Sequence, residues 1–288
     1  MDRRSFMALS AGVAAALPLE AQIRRPAGTH LRLGLNAYSF NRPLMAGTMK
    51  LADVLDYCAA HNIDGVDLTG YYFPGYPAVP SDDFLYGIKR RAFLNGVTIS
   101  GSGVRNDFAG GDEPARRRDI AMVKAWIDAA QKFGASVLRV FSGPRAPEGR
   151  SFDQVLEYMV PAFRECAAYA ATRGVILGLQ HHNDFLKTAE QTIRVIKAVN
   201  SEWFSVILDV GSLRQGDPYE EIARLIPYAC TWQIKETVWY GEKETPIDLP
   251  RLRALIEKTG YRGFLPIESL APGDPTAFLE KVRRAMIA

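Results

Sequence analysis

Residues 174–196 read GVILGLQHHNDFLKTAEQTIRVI. After Gly174 comes Val175-Ile176-Leu177-Gly178-Leu179-Gln180, a near-continuous apolar run. Such a run suits a parallel strand covered on both faces. The polar stretch His181-His182-Asn183-Asp184 follows as a loop. From Thr188 onward Ile193, Val195 and Ile196 recur at helical spacing, so the unit is strand, loop and amphipathic helix. Gly174 stands where a preceding helix must stop, and glycine takes the left-handed conformation that closes one.

Working outward, the same unit recurs. β-rich runs at 31–39, 63–69, 97–103, 135–142, 175–181, 204–210, 230–236 and 263–269 alternate with helical stretches. Gly96 and Gly134 repeat the punctuation of Gly174. Ser81, Ser151, Asp217 and Asp274 supply helix N-caps. Pro161 is expected to kink or divide the helix that contains it. Strand–helix alternation specifies a parallel sheet, and eight units specify a closed (βα)8 barrel, the TIM-barrel α/β class. An open doubly wound sheet would need a glycine-rich turn after its first strand. The stretch Asn36-Ala37-Tyr38-Ser39-Phe40-Asn41-Arg42-Pro43 has none. One barrel domain over residues 31–288 is expected.

Composition narrows the function classes. Hydrophobic residues make up 48% and charged residues 23% of the 288, enough to bury a full core without staples. A formal net charge of +3 gives no polybasic footprint, so nucleic acid is not an expected partner. Residues 1–22 carry Arg3-Arg4, an apolar Ala-rich run and a small residue, Ala21. They read as a secretory leader of twin-arginine type, implying an exported protein, periplasmic or extracellular. The apolar run is too short to span a bilayer comfortably, and no membrane span is expected in the mature chain. Cys58, Cys166 and Cys230 match no zinc or disulfide spacing and read as core thiols. A homo-oligomer formed through the outer helices is an expectation that no residue pattern specifies.

In a barrel, chemistry gathers where strands end. Gln180, Asp209, Gln233 and Glu268 end the last four strands, separated by 29, 24 and 35 residues. Each interval is about one βα unit, so all four can sit at one height. Leu179, Leu208, Ile234 and Ile267 flank them, and alternation turns the polar chains into the barrel. Two carboxylates and two amide oxygens either hold a hard divalent cation, Mn2+ or Mg2+, or hydrogen-bond among themselves. His182 lies two residues after Gln180 and shares its face. Imidazole ordinarily titrates between about pH 5 and 8, which makes His182 the preferred acid or base. His181 points the other way, towards the core. Lys235 stands in the same relation to Gln233 and can bind a substrate oxygen or neutralise an enolate. Candidate substrate contacts are Tyr71, Tyr72 and Trp239 by stacking, and Asn36, Asn106 and Arg139 by hydrogen bonding. Arg139 is alternatively a buried partner of Asp67.

The segments Leu179-Gln180-His181-His182-Asn183-Asp184-Phe185, Leu208-Asp209-Val210-Gly211, Gln233-Ile234-Lys235-Glu236 and Ile267-Glu268 resemble the sugar phosphate isomerase/epimerase family. So do Tyr71-Tyr72-Phe73-Pro74, Val104-Arg105-Asn106-Asp107-Phe108 and Leu138-Arg139-Val140-Phe141. The resemblance covers about residues 31–287 and implies a xylose-isomerase-like barrel. It implies metal ligands at Gln180, Asp209, Gln233 and Glu268, where the family typically has Glu, Asp, His and Glu. It also implies proton transfer at Glu268. The chain departs from the pattern at Gln180 and Gln233. An amide exchanges no proton near neutral pH, so Gln180 cannot take the part of a second strand-end glutamate. The expectation is a metal-dependent isomerase or epimerase of a small-molecule carbohydrate, an unphosphorylated sugar or keto-sugar. A lyase or dehydratase of a keto-sugar or keto-glycoside, or a non-catalytic carbohydrate-binding barrel, are the alternatives. An endonuclease of this fold would need a cluster of histidines, and the chain has 4 in all.

Overall fold

The computed structural model describes residues 22–287. The leader expected at residues 1–22 therefore lies, but for Gln22, outside the described residues. In chain order the elements are β1 (His30–Asn36), α1 (Asn41–Met45), α2 (Leu51–Ala60), β2 (Gly65–Thr69), α3 (Asp82–Leu94), β3 (Thr98–Gly103), α4 (Glu113–Phe133), β4 (Val137–Phe141), α5 (Phe152–Ala171) and β5 (Ile176–Gln180). Then follow α6 (Ala189–Val199), β6 (Phe204–Asp209), α7 (Pro218–Leu225), β7 (Ala229–Gln233), β8 (Thr237–Tyr240), β9 (Lys243–Pro246), α8 (Leu249–Thr259), β10 (Arg262–Ile267) and α9 (Thr276–Met286).

Eight parallel strands lie in the order β10-β1-β2-β3-β4-β5-β6-β7. The ring closes between β7 and β10 through the parallel bridge Ile234–Ile267. Ile234 N–H donates to the Pro266 carbonyl at 2.8 Å, and Glu268 N–H donates to the Ile234 carbonyl at 2.8 Å. This closure brings the strand ends carrying Gln233 and Glu268 side by side. The helices pack outside, each burying one stripe. In α4 that stripe is Ile120, Val123, Trp126, Ile127 and Ala130. Trp126 and Phe133 meet Phe73 at centroid distances of 5.3 Å, clamping the loop after β2 onto the barrel.

Most local signals act as expected. Ser81 accepts from Phe84 N–H, Ser151 forms a reciprocal box with Gln154, and Asp217 caps α7 ahead of Pro218. Asp274 instead accepts from Thr276 N–H at 2.7 Å, one residue before the cap position at Pro275. Pro161 does not divide its helix, because α5 runs unbroken from Phe152 to Ala171. β1 ends at Asn36 rather than at residue 39. There the Asn36 side-chain oxygen Oδ1 accepts from Tyr38 N–H at 2.8 Å and turns the chain into a 3-10 turn. The region after β7, expected as loop, contains the β8–β9 hairpin. Its Thr and aromatic residues suit a strand, but at 4 residues each strand is too short to stand out as a periodic signal.

Candidate active site

The C-terminal mouth of the barrel opens into a cavity of about 560 Å³. Tyr38, Tyr71, Arg139, Phe141, His182 and Glu268 are in its wall, together with Gln180, Asp184 and Lys235. A volume of this size accommodates a small ligand.

Asp209 organises the floor. It is fully buried, and its Oδ2 accepts three hydrogen bonds. These come from Ser212 Oγ at 2.6 Å, Gln180 Nε2 at 2.8 Å and Lys235 Nζ at 2.8 Å. Its Oδ1 accepts from Gly211 N–H at 3.0 Å. Burial alone would raise this carboxyl, but the Lys235 ammonium and the nearby histidines hold it well below the usual carboxylate range. Lys235 shows the reverse. Burial would lower it, yet Asp209 and then Glu268 hold it above the usual lysine range. Glu268 Oε2 lies 3.5 Å from the same ammonium and makes no hydrogen bond among the described residues. Gly211 lets the lysine pass. A Cβ there would sit 2.7 Å from Lys235 Cδ.

Gln233 is held from the side. Asn36 Nδ2 donates to its Oε1 at 2.8 Å. His181 is fully buried, and its Nε2 accepts from Asp209 N–H at 3.3 Å. Burial pushes its pKa down to about 4, so it serves as a neutral acceptor beneath the site.

The opposite side of the barrel interior is made by two glycines. Gly101 and Gly103 share one face of β3, and their missing side chains leave room for Asp67 and Arg139. A Cβ on Gly101 would lie 3.1 Å from Asp67 Oδ2, and one on Gly103 would lie 2.6 Å from Arg139 Nε. Arg139 Nη2 donates to Tyr71 OH at 3.0 Å, and its guanidinium faces the Phe141 ring at 5.0 Å. Burial pushes the Asp67 carboxyl up to about 6, against the opposing pull of Arg139. Asp67 and Arg139 make no ion pair or hydrogen bond with each other among the described residues, so the alternative reading of Arg139 as a buried partner of Asp67 gains no contact, and Arg139 lines the cavity. Gly103→Ala is expected to drive Arg139 off Tyr71. Steady-state kinetics should show KM raised about tenfold, and thermal melts a stability loss of about 1–3 kcal/mol from overpacking.

The candidate residues fall into groups. Gln180, His182, Lys235, Glu268, Tyr71 and Arg139 line the cavity. Asn106 lines it too, but its amide is spent on Phe141: Nδ2 donates to the carbonyl at 2.8 Å and Oδ1 accepts from the N–H at 2.9 Å. Asp209 and Gln233 lie beneath the surface, fully buried. Three expected substrate contacts lie outside the cavity wall. Asn36 is fully buried and holds Gln233 and the following turn. Tyr72 turns from the cavity and donates its hydroxyl to Asn41 Oδ1 at 2.8 Å. Trp239 sits on the β8–β9 hairpin, outside the cavity wall, under the Arg214 guanidinium at 3.8 Å. Sequence reasoning assigned no role to Tyr38, Arg105 or Asp184, which line the cavity. Alternation pointed to two of them: Tyr38 is two residues after Asn36, and Asp184 two after His182. Burial raises the Asp184 carboxyl.

Of the four expected metal ligands, Gln180, Asp209 and Glu268 meet around Lys235 while Gln233 is held aside by Asn36, a donor arrangement that suits an ammonium and not a divalent cation. Asp209 Oδ2 is already shared by three donors. Gln180 presents its N–H groups, not its oxygen, to Asp209. The Gln233 oxygen is taken by Asn36. A dication about 4 Å from the Lys235 ammonium would meet a repulsion of about 8 kcal/mol at an effective dielectric near 20, twice that of two unit charges. The residues as they stand do not fit Mn2+ or Mg2+.

Closed barrel and polar C-terminal mouth together define a (βα)8 protein with its functional face at the strand ends. A family model described as a xylose isomerase-like TIM barrel matches residues 55–286, and the chain belongs to that family. No curated protein sequence matches the chain. Among solved structures, the chain is similar to D-psicose 3-epimerase from Clostridium cellulolyticum H10, with 18% identity, TM-score 0.69, and coverage of 88% of this chain and 91% of that one. It is similar to 3-keto-D-glucoside 4-epimerase, YcjR, from E. coli at 13% identity and TM-score 0.69, covering 89% and 98%. It is also similar to the IOLI protein, whose structure carries a zinc atom, at 16% identity and TM-score 0.71, covering 88% and 96%. Likenesses this distant establish the fold. No helix among the described residues is long and apolar enough to cross a membrane.

Proposed function

We propose that this chain is an enzyme that epimerises or isomerises an unphosphorylated keto-sugar by moving a proton on the carbon next to the carbonyl. The observation that carries this reading is the distribution of groups in one cavity. Glu268 follows β10 and His182 follows β5, three strands apart around the ring, and both face the same space. Lys235 and Arg139 add two cations to that wall.

Each group has a chemical use. Glu268, whose side chain lines the cavity, is the base that takes the proton. Lys235 donates an N–H to the carbonyl oxygen and stabilises the enolate as charge develops there. His182 returns a proton from the other wall, taking the part that the amide of Gln180 cannot play. Gln180 Oε1 and Arg139 Nε are buried and lack partners among the described residues, and both residues line the cavity. One acceptor and one donor so placed suit a ligand rich in hydroxyls, since a buried polar group left unpaired costs about 1–3 kcal/mol. Tyr38, Tyr71 and Phe141 supply apolar faces for a sugar ring. The sugar epimerases similar in fold add support for the substrate class.

The test is solvent exchange. In D2O with a panel of keto-sugars and keto-glycosides, NMR should show deuterium entering the carbon next to the carbonyl, with a new epimer or aldose accumulating. Net loss of a β substituent would assign a lyase instead. Binding without exchange or turnover would assign a carbohydrate-binding barrel.

A further inference from the structure

We propose that the Lys235 ammonium is the resident cation of this site, standing between Asp209 and Glu268 where the family resemblance implies a divalent metal, so that the reaction proceeds without one. The proposal deepens the keto-sugar reading and rests on it for the substrate. The cation's identity rests on geometry alone.

Four contacts carry it. Lys235 Nζ is 2.8 Å from Asp209 Oδ2 and 3.5 Å from Glu268 Oε2. Both carboxylates are buried, and so is the lysine. The two positions at which the chain departs from the family, Gln180 and Gln233, have one consequence in common. Each amide is engaged in a hydrogen bond of the site's floor. Gln180 donates to the oxygen that Lys235 also contacts, and Gln233 accepts from Asn36. Gly211 completes the arrangement, since any Cβ there would collide with the lysine stem.

Charge and valence agree with this placement. Two carboxylates and one ammonium leave the cluster at one net negative charge, next to the Arg139 guanidinium across the cavity. An ammonium has three N–H donors and no acceptor. One is directed to Asp209 and one lies towards Glu268, and the third remains for a ligand oxygen in the cavity that Lys235 lines. During the reaction no electrons pass to or from the protein. The C–H bond breaks to Glu268, the electron pair moves onto the carbonyl oxygen beside Lys235, and reprotonation on carbon restores the carbonyl.

The experiment is a Mn2+ titration of the full chain, stripped with a chelator and followed by electron paramagnetic resonance, alongside deuterium exchange in the same samples. The expected result is an undiminished signal of free Mn2+ with the native protein and exchange rates unchanged by chelator. Lys235→Ala, which vacates the space between the carboxylates, is expected to bind Mn2+ at least about tenfold more tightly than the native chain. Should that variant fail to fold, the native titration decides alone. Stoichiometric uptake of Mn2+ by the native protein, lost in Asp209→Asn, would overturn the proposal. If no sugar exchanges but Mn2+ is excluded, the keto-sugar reading falls and the ammonium assignment stands. If sugar exchanges only with Mn2+ present, the assignment falls and the keto-sugar reading stands.

Discussion

Glu268→Gln is expected to lower the rate of deuterium exchange and of turnover by about 10²–10⁴-fold, the usual contribution of a positioned general base. The substitution keeps the shape of the side chain and removes its basicity. Glu268 Oε2 is the farther of the two carboxylate oxygens from Lys235 Nζ, at 3.5 Å against 2.8 Å for Asp209, so Asp209 still neutralises the ammonium when Glu268 loses its charge. KM should therefore change far less than kcat, and the melting temperature should stay close to the native value. Single-turnover kinetics with the best keto-sugar, paired with a thermal melt, check both halves. Loss of fold with loss of activity would move Glu268 from the chemistry to the scaffold.

The second large effect falls on stability. Asp209→Ala leaves Lys235 buried with its nearer carboxylate gone, and also strips acceptors from Ser212, Gln180 and Gly211 N–H. Breaking one side of a buried pair costs about 3–5 kcal/mol, and urea unfolding should show a loss of that size at pH 7. Its pH dependence follows from the two shifts. The Asp209 carboxyl is depressed in the folded state, so its contribution is full above the ordinary unfolded value near 4 and disappears as pH falls through the folded value. Lys235 is raised, so its contribution is full below the ordinary value near 10.4 and disappears as pH climbs through the folded value. The gap between native and variant should therefore hold from about pH 5 to pH 10 and close only outside that window.

Much of the fold was legible because strand and helix periods differ and the glycines mark their joints. Gly96, Gly134 and Gly174 each take positive φ where a helix gives way to a strand. The height of the four strand-end residues followed from unit length. What spacing could not give was the direction in which each side chain's polar atoms point. Gln180 and Gln233 each carry one donor group and one acceptor. Which end faces Asp209 depends on Lys235 reaching over Gly211, a contact between different strand ends. The same limit explains the substrate contacts. Tyr71 and Tyr72 are adjacent and equally aromatic, yet the 3-10 turn at Gly70–Tyr72 sends one into the cavity and the other to Asn41. Trp239 looked like a loop residue because the short β8–β9 hairpin leaves too few residues to show alternation.

The most direct measurement is a crystal structure of the inactive Glu268→Gln protein holding a keto-sugar that the native protein exchanges. The arrangement described here requires the sugar's carbonyl oxygen to accept a hydrogen bond from Lys235 Nζ, with its exchanging carbon between residue 268 and His182. A sugar bound away from this mouth, or a metal ion lying between Asp209 and residue 268 with Lys235 displaced, would contradict it.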